Sequence, residues 1–368
     1  MATETVQLSD TAMMRRALQL ARRGRGRVSP NPMVGAVLVR GDAVVGEGAH
    51  LKAGGPHAEA RAFDQAGSRA RDATLYVTLE PCAHVGRTPP CSKAVIAGGI
   101  ARVVCAMEDP DPRVQGRGLQ ALRAAGIQVE VGLLRNEAEA LNAAYLKHRR
   151  EGRPLVILKL GQTLDGRIAT RTGASKWITG LRARTHAHRW RSWVDGIIVG
   201  AGTILADDPR LTVRHVRGRD PRPLVVDGKL RVSPGARVFS SPGAVLATTC
   251  VDEAMVAPFH ERGVEVWQLE ERGGRIGLGP LLTRAGASGM TSVILEGGAQ
   301  LAANALRDRV VDQVMIYVAP MLLGEGIAGI ADLGIVDLDQ AIRLQNLAIR
   351  RLGEDVLLSG EVKYCSPG

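Results

Sequence analysis

Short apolar runs alternate with amphipathic stretches along nearly the whole chain. In TAMMRRALQLARR the apolar residues Met14, Ala17, Leu18 and Ala21 recur at helical spacing. They predict a helix capped by Ser9 or Asp10 and ended by Gly24 and Gly26. GAVLVR and AVVGEGAH predict two strands around a turn at Gly41-Asp42. HAEARAFDQA predicts a helix, ATLYVTLE a strand, CSKAVIAGG a helix and ARVVCAM a strand. After the turn-rich DPDPRVQGRG, a helix (GLQALRAAG), a strand (IQVEVG) and one final helix (NEAEALNAAYLKH) complete the first half.

The polar stretch HRREGRP interrupts the pattern, and PLVILKLG restarts it as a strand, which puts a domain boundary between residues 1–150 and 151–368. Beyond it DGIIVGAG, RPLVVDG, AVLATTC, TSVILEGG and VDQVMIYVAP predict strands, with helices such as LRARTHAHRWRS and AQLAANALRD between them. Alternating strands and helices imply two consecutive α/β domains, with no internal repeat between them.

A length of 368 residues fits two domains of moderate size, and 45% hydrophobic with 23% charged residues gives each its own core. The net charge of +11 admits nucleic acid or phosphorylated small molecules as partners. The arginines are scattered, no long basic block occurs, and aromatics for base stacking make up only 3%. Phosphate-bearing substrates or cofactors explain the charge more simply, and a homo-oligomer is left open. Five cysteines in this length do not make a disulfide framework. MATETVQLSD lacks the pattern of a secretory signal, and no apolar run approaches the roughly 20 residues of a membrane span. A cytoplasmic protein without a membrane partner is expected.

Three residue types in order carry the chemistry of the first half. His57-Ala58-Glu59 opens one predicted helix, and Pro81-Cys82 with Cys91 opens the next. One imidazole and two thiolates form the three-ligand set of a catalytic zinc site, with a position left for water. Cys91 stands near a helix N-terminus, where unpaired N–H groups favour thiolate. Glu59, two residues from the ligand, can take a proton and return it to a ring nitrogen and a leaving amine. Zinc nucleobase deaminases carry H-x-E and P-C-x-x-C; here eight residues, AHVGRTPP, separate the cysteines. The inserted loop is expected to line a substrate pocket. The alternative is two buried structural cysteines and a chance His-x-Glu, against which stands the order of all elements at strand ends and helix starts.

In the second half, Gly200-Ala201-Gly202 follows a strand as a phosphate-cradling turn would. Leu205 stands where a dinucleotide fingerprint has its third glycine, so that fingerprint is not met. Glu296-Gly297-Gly298 also ends a strand and precedes a helix, where glycines let backbone approach an anion.

The segments Asn31-Pro32-Met33-Val34-Gly35, GGPHAEARA, LEPCAHVGRTPPC and DPDPRVQGRG closely resemble the bifunctional deaminase–reductases of riboflavin biosynthesis. KLGQTLDGRIA, GASKWIT, GAGTILADDPRLTVR and ILEGGAQLAANAL look like the reductase half of that family. The resemblance spans nearly the whole chain. It implies a cytidine-deaminase-like α/β/α domain followed by a dihydrofolate-reductase-like α/β domain. It implies hydrolysis of the 2-amino group of 2,5-diamino-6-ribosylamino-4(3H)-pyrimidinone 5′-phosphate, then reduction of the ribosyl chain by NADPH to give 5-amino-6-ribitylamino-uracil 5′-phosphate.

Carried over by position, the resemblance puts zinc on His57, Cys82 and Cys91, proton transfer on Glu59, and pyrimidine or ribose on Asn31. NADPH would meet Gly161, Trp177, Thr203, Asp207 and the run Gly298, Ala299, Gln300, Leu301, Ala302, Ala303 and Asn304. Substrate would meet Ser175, Arg191, Leu211, Arg214 and Glu296, the two arginines suiting a phosphate. Without the resemblance, Asn31-Pro32 reads as a turn, Arg191 as part of a solvated helix face and Trp177 as packing. His50 and His84 are candidates for substrate contact, each also readable as a satisfied histidine. Cys105 reads as buried mid-strand, and Cys250 and Cys365 have no partner motif. Gly228 stands where some relatives have a hydroxyl residue, which removes one side-chain contact to the cofactor. Asp207 is the general-acid candidate by position alone.

Two other readings make different predictions. A zinc deaminase acting on another nucleobase or on nucleic acid, with an accessory C-terminal domain, predicts a basic single-strand groove and no reductase motifs. A non-catalytic metal-binding protein predicts the loss of Glu59, which is present.

Overall fold

A computed structural model describes residues 9–83 and 90–364, apart from the Arg272 side chain. The chain divides into two compact units, Met1–Gly152 and Arg153–Gly368. Among the described residues, no helix is long and apolar enough to cross a membrane.

The first unit holds strands β1 (Gly35–Arg40), β2 (Ala43–Ala49), β3 (Thr74–Val77), β4 (Arg102–Cys105) and β5 (Gln128–Val131). They form one sheet in the order β2-β1-β3-β4-β5. β1 runs antiparallel to β2 and β3, while β3, β4 and β5 are parallel. Helices α1 (Asp10–Ala21), α2 (Ala58–Ala66), α3 (Cys91–Ala97), α4 (Arg117–Ala124), α5 (Arg135–Leu141) and α6 (Ala143–Glu151) cover both faces. α2, α3 and α4 pack one core through Ala58, Ala62, Val95 and Leu119. On the other face α1, α5 and α6 pack a second through Met14, Leu18, Leu141 and Tyr145. Ser9 caps α1 by accepting from the Ala12 N–H. Helices on both faces of the sheet make the layered α/β domain that the alternation implied, in the α/β/α form that the resemblance implied.

The predicted final helix of this half is two helices. Asn142 breaks it (φ −103°, ψ 18°) because its side chain leaves the helix pattern to pair with the Met33 backbone. Asn142 Oδ1 accepts from Met33 N–H at 2.8 Å, and its Nδ2 donates to Met33 O at 3.0 Å. Gly48 on β2 sets the height of α2 over the sheet. A Cβ there would overlap the Ala58 carbonyl and lie 2.8 Å from Ala62 N. Glycine thus brings the first turn of α2 directly onto the strand.

The second unit contributes β6 (Leu155–Thr163), β7 (Arg167–Thr170), β8 (Gly196–Gly200), β9 (Arg222–Val226), β10 (Val245–Thr248), β11 (Glu265–Gln268), β12 (Glu271–Arg272), β13 (Arg275–Ile276), β14 (Ser292–Glu296), β15 (Gln313–Ala319), β16 (Gly326–Ala328), β17 (Arg343–Leu352) and β18 (Asp355–Lys363). Nine of them form a sheet in the order β11-β10-β9-β8-β14-β6-β15-β18-β17. It is parallel from β11 to β15 and antiparallel through β18 and β17. Helices α7 (Leu181–Arg191), α8 (Ala201–Asp207), α9 (Glu253–His260), α10 (Leu278–Ala287) and α11 (Ala299–Arg307) lie between strands.

Parallel strands buried on both faces read as unbroken apolar runs, which is why GIIVG and SVILE are so easily recognised. β8 and β14 are neighbours, and each leads straight into a helix, α8 at Ala201 and α11 at Ala299. Gly200-Ala201-Gly202 is therefore a strand-to-helix junction. Adjacent strands that open into helices at their carboxyl ends create a crevice where α/β sheets bind ligands.

Two candidate active sites

His57 is the N-cap of α2, with extended backbone (φ −70°, ψ 164°) and no side-chain capping bond. Its imidazole meets two sulfurs instead. Cys82 follows β3, and Cys91 is the first residue of α3. His57 Nδ1 lies 3.2 Å from Cys91 Sγ and 3.7 Å from Cys82 Sγ. The Cys91 N–H donates to Cys82 Sγ at 3.3 Å. All three donor atoms fall within 4.8 Å of one another. Zinc bonds of about 2.0–2.3 Å separate tetrahedral ligand atoms by roughly 3.5 Å. The nitrogen and two sulfurs therefore fit zinc as they stand.

A hydrogen bond from the Cys91 thiol, aided by His57 and the Cys91 N–H, holds the Cys82 thiol down at about 4. Its bond to Cys82 and its burial push the Cys91 thiol up. The sulfur of Cys82 also raises His57 against the opposing effect of burial. Glu59 is buried at 3% exposure, and burial pushes its carboxyl up despite its own backbone N–H and His57. A carboxyl raised in this way is suited to accept and return a proton.

His57, Glu59 and Cys82 line a cavity of about 410 Å³ with Asn31, His50, Glu80, Asp109, Arg113 and Tyr145, and Cys91 is buried beside it. His50 is buried and satisfied. Its Nδ1 lies 3.1 Å from Pro56 O and its Nε2 lies 3.2 Å from Asn31 Nδ2. Burial lowers the His50 pKa, so the neutral ring donates from Nδ1 and accepts at Nε2. That arrangement takes the Asn31 amide N–H and leaves its oxygen to the cavity. Glu80, read from sequence only as a strand end, accepts from the N–H groups of Asp109, Gly116 and Gly118 at 3.2, 2.9 and 2.9 Å. One buried carboxylate thereby organises the DPDPRVQGRG loop. Asp109 in turn accepts from Tyr145 Oη at 2.9 Å.

In the second unit a cavity of about 1030 Å³ opens at the carboxyl ends of β6, β8, β9 and β14. It gathers Gly161, Ser175, Trp177, Arg191, Thr203, Asp207, Leu211, Arg214, Glu296, Gly298, Ala299, Gln300, Leu301 and Asn304. Ala302 and Ala303 do not line it; both are fully buried, on the face of α11 turned from the cavity. Trp177 is 65% exposed, with the Arg184 guanidinium 4.3 Å from its ring centroid, so it is not core packing. Thr203 Oγ1 accepts from the Gly298 N–H at 3.1 Å, joining α8 to the start of α11. Asp207 is ion-paired with Lys176 at 3.0 Å.

Arg191 and Glu296 form a bidentate pair, Nε to Oε1 at 2.7 Å and Nη2 to Oε2 at 2.8 Å. Lys159 Nζ adds a contact to Glu296 Oε2 at 3.3 Å. Burial alone would raise the Glu296 carboxyl, but Arg191 and Lys159 together hold it well below the usual carboxylate range. The fork of Arg191 is thus closed on Glu296. Of the two arginines expected to share a phosphate, only Arg214 has no carboxylate partner among the described ion pairs. Lys159 escaped the sequence reading, although a lone cation inside the apolar run LVILKLG was the signal for it. Gly228 lines the same cavity, and a Cβ there would sit at ordinary contact, 3.5 Å from Thr249 Oγ1. Cys105 is buried at the end of β4. His84 and Cys365 lie outside the described residues.

Comparison with known proteins gives the setting for both sites. The RibD C-terminal domain matches residues 154–358, and the cytidine and deoxycytidylate deaminase zinc-binding region matches residues 8–107. The riboflavin biosynthesis protein RibD of Escherichia coli is 42% identical over 365 residues, covering 95% of this chain and 99% of that one. The chain belongs to the RibD family. RibD proteins are bifunctional deaminases and reductases of riboflavin biosynthesis, with zinc in the deaminase and NADPH in the reductase. Aquifex aeolicus RibD is 40% identical, with 95% of this chain and 97% of that one covered. Among solved structures, Acinetobacter baumannii RibD superposes with a TM-score of 0.87 at 37% identity, covering 96% of this chain and 99% of that one. A Thermotoga maritima diaminohydroxyphosphoribosylaminopyrimidine deaminase/5-amino-6-(5-phosphoribosylamino)uracil reductase gives 0.84 at 33%, with 97% and 99% covered.

Proposed function

We propose that the first unit deaminates 2,5-diamino-6-ribosylamino-4(3H)-pyrimidinone 5′-phosphate and that the second reduces the ribosyl chain of its product with NADPH. The observation that carries this reading is the meeting of one imidazole and two cysteine sulfurs within 4.8 Å, two of the three residues lining the cavity that Glu59 also lines. His57, Cys82 and Cys91 would hold zinc. When bound, zinc supplies a Lewis acid that makes water acidic near neutral pH. Glu59 accepts a proton at its carboxylate, delivers it to the ring nitrogen, and passes a second to the leaving amine as ammonia departs. Asn31, oriented by His50, presents its amide oxygen to the pyrimidine or ribose.

In the second unit, the N–H groups of Ala299 and Gln300 in the first turn of α11 face the cofactor phosphates, and Gly298, its own N–H held by Thr203, lets the backbone approach them. Thr203, Gly161 and Trp177 complete the cofactor wall, and NADPH supplies the hydride. Arg214 meets the substrate phosphate. Glu296, held between Arg191 and Lys159, is an acceptor for sugar hydroxyls. Asp207, the general-acid candidate by position, is ion-paired with Lys176 at 3.0 Å. The partner this supports is a phosphorylated pyrimidine small molecule, not a nucleic acid or a membrane.

Glu59→Gln tests the deaminase assignment. The variant should bind zinc as the parent does, lose ammonia release by at least about 10²-fold, and keep reducing the deaminated substrate. Unchanged deamination in the zinc-loaded variant would remove Glu59 from its role.

A further inference from the structure

We propose that His188 is a positioning residue of the reductase site, fixing the backbone of Arg214 so that its guanidinium lines the cavity. The inference rests on the reading of Arg214 as the phosphate ligand.

Residues 208–214 have no regular secondary structure, yet they carry both Leu211 and Arg214 to the cavity. Leu211 is buried with φ +58°, a left-handed conformation that costs a branched residue roughly 1–2 kcal/mol. Such a conformation persists only where its surroundings hold it. Here three successive residues are tied by side chains from elsewhere. Thr212 O accepts from Arg191 Nη1 at 3.2 Å, Val213 N–H donates to Asp220 Oδ1 at 2.6 Å, and Arg214 N–H donates to His188 Nδ1 at 3.1 Å.

His188 and Arg191 stand three residues apart on α7, the spacing that puts two side chains on one face. An Nδ1 that accepts fixes the tautomer with the proton on Nε2. The His215 ring stands edge-on at 4.6 Å and limits rotation. Burial, with Arg191, His215 and Arg214 nearby and Glu296 opposing, lowers His188 to about 3. The ring therefore remains a neutral acceptor at any pH where the enzyme would be assayed.

The test is steady-state reductase kinetics of the full, zinc-loaded chain on the deaminated ribosyl phosphate, with His188→Phe, His188→Asn, Arg214→Ala and the Phe/Ala double variant. His188→Ala is read beside His188→Phe in case the larger ring does not fold. Arg214→Ala should raise the KM for the phosphorylated substrate. His188→Phe should raise it about tenfold, the worth of one hydrogen bond, and leave the KM for NADPH within about twofold. His188→Asn, which keeps an acceptor near Nδ1, should restore the substrate KM to within about threefold. The double variant should be no worse than Arg214→Ala alone. A parental KM in the His188→Phe and His188→Ala variants beside an impaired Arg214→Ala overturns the inference and leaves the site intact. A parental KM in Arg214→Ala overturns the phosphate reading and the inference with it. Equal rises in both KM values, no rescue by Asn and additivity in the double variant mean a purely structural histidine, which also overturns it.

Discussion

Glu296→Gln probes the electrostatic centre of the second unit. Glu296 is buried, accepts two hydrogen bonds from Arg191 at 2.7 and 2.8 Å, and faces Lys159 at 3.3 Å. The amide keeps the shape but leaves two cations opposite a neutral group. Removing one partner of a buried ion pair costs about 3–5 kcal/mol, because the remaining charge is left uncompensated. For a unit of this size 1 kcal/mol shifts the midpoint by about 2–4 °C, so the second unit should melt roughly 6–20 °C lower. Because Glu296 is held below its unfolded value of about 4.3, its contribution is fully present above that pH and is lost as the pH falls further. The melting gap between parent and variant should therefore be widest near neutrality and narrow on acidification below about 4. Calorimetry reads the gap, with ammonia release by the first unit as an internal control. Replacing all three charges, Lys159→Met and Arg191→Met with Glu296→Leu, should cost less stability than Glu296→Gln alone. A shift under about 2 °C at neutral pH, or a gap indifferent to acid, would refute the reasoning.

Two further predictions concern glycines. Gly48→Ala places a methyl against the Ala58 carbonyl and must lift the start of α2, with His57 and Glu59 on it, at a cost of about 1–3 kcal/mol; zinc content by atomic absorption and ammonia release should both fall while NADPH oxidation on the deaminated substrate persists. Gly228→Ser meets only ordinary contacts, so its melting point should stay within the roughly ±0.5 kcal/mol of neutral substitutions. If the cofactor passes this wall, the new hydroxyl should lower the NADPH KM by roughly 2–10-fold, the worth of one hydrogen bond; a raised KM would place the cofactor elsewhere.

The zinc constellation was legible because its residues are chemically distinctive and fall at helix starts, where the backbone constrains them. His57, Glu59, Cys82 and Cys91 need only a strand-end and helix-start alignment to converge, and the apolar periodicity supplied it. The parallel strands of the second unit were equally readable, since burial on both faces leaves unbroken runs of Val, Ile and Leu. Pairing in space was not readable. Nothing in the spacing of Arg191 and Glu296, 105 residues apart, says that one closes on the other, so Arg191 looked available for a phosphate. Asn142 looked like an ordinary helical position because its partner, Met33, is 109 residues away. Glu80 carries no local signal at all; its role exists only once a distant segment folds back to donate four N–H groups to it, from Asp109, Gly116, Gly118 and Leu119. Residues whose function is to hold another residue are the ones that sequence pattern leaves silent.

A coupled assay tests most directly whether one chain carries two sequential activities. Zinc-loaded protein, the diaminopyrimidinone ribosyl phosphate and NADPH are mixed, and ammonia release and nicotinamide absorbance are followed together. The account predicts both signals, with NADPH oxidation lagging behind ammonia and vanishing in Glu59→Gln until deaminated substrate is added. Ammonia release without NADPH oxidation, or NADPH oxidation that proceeds at full rate without prior deamination, would contradict it.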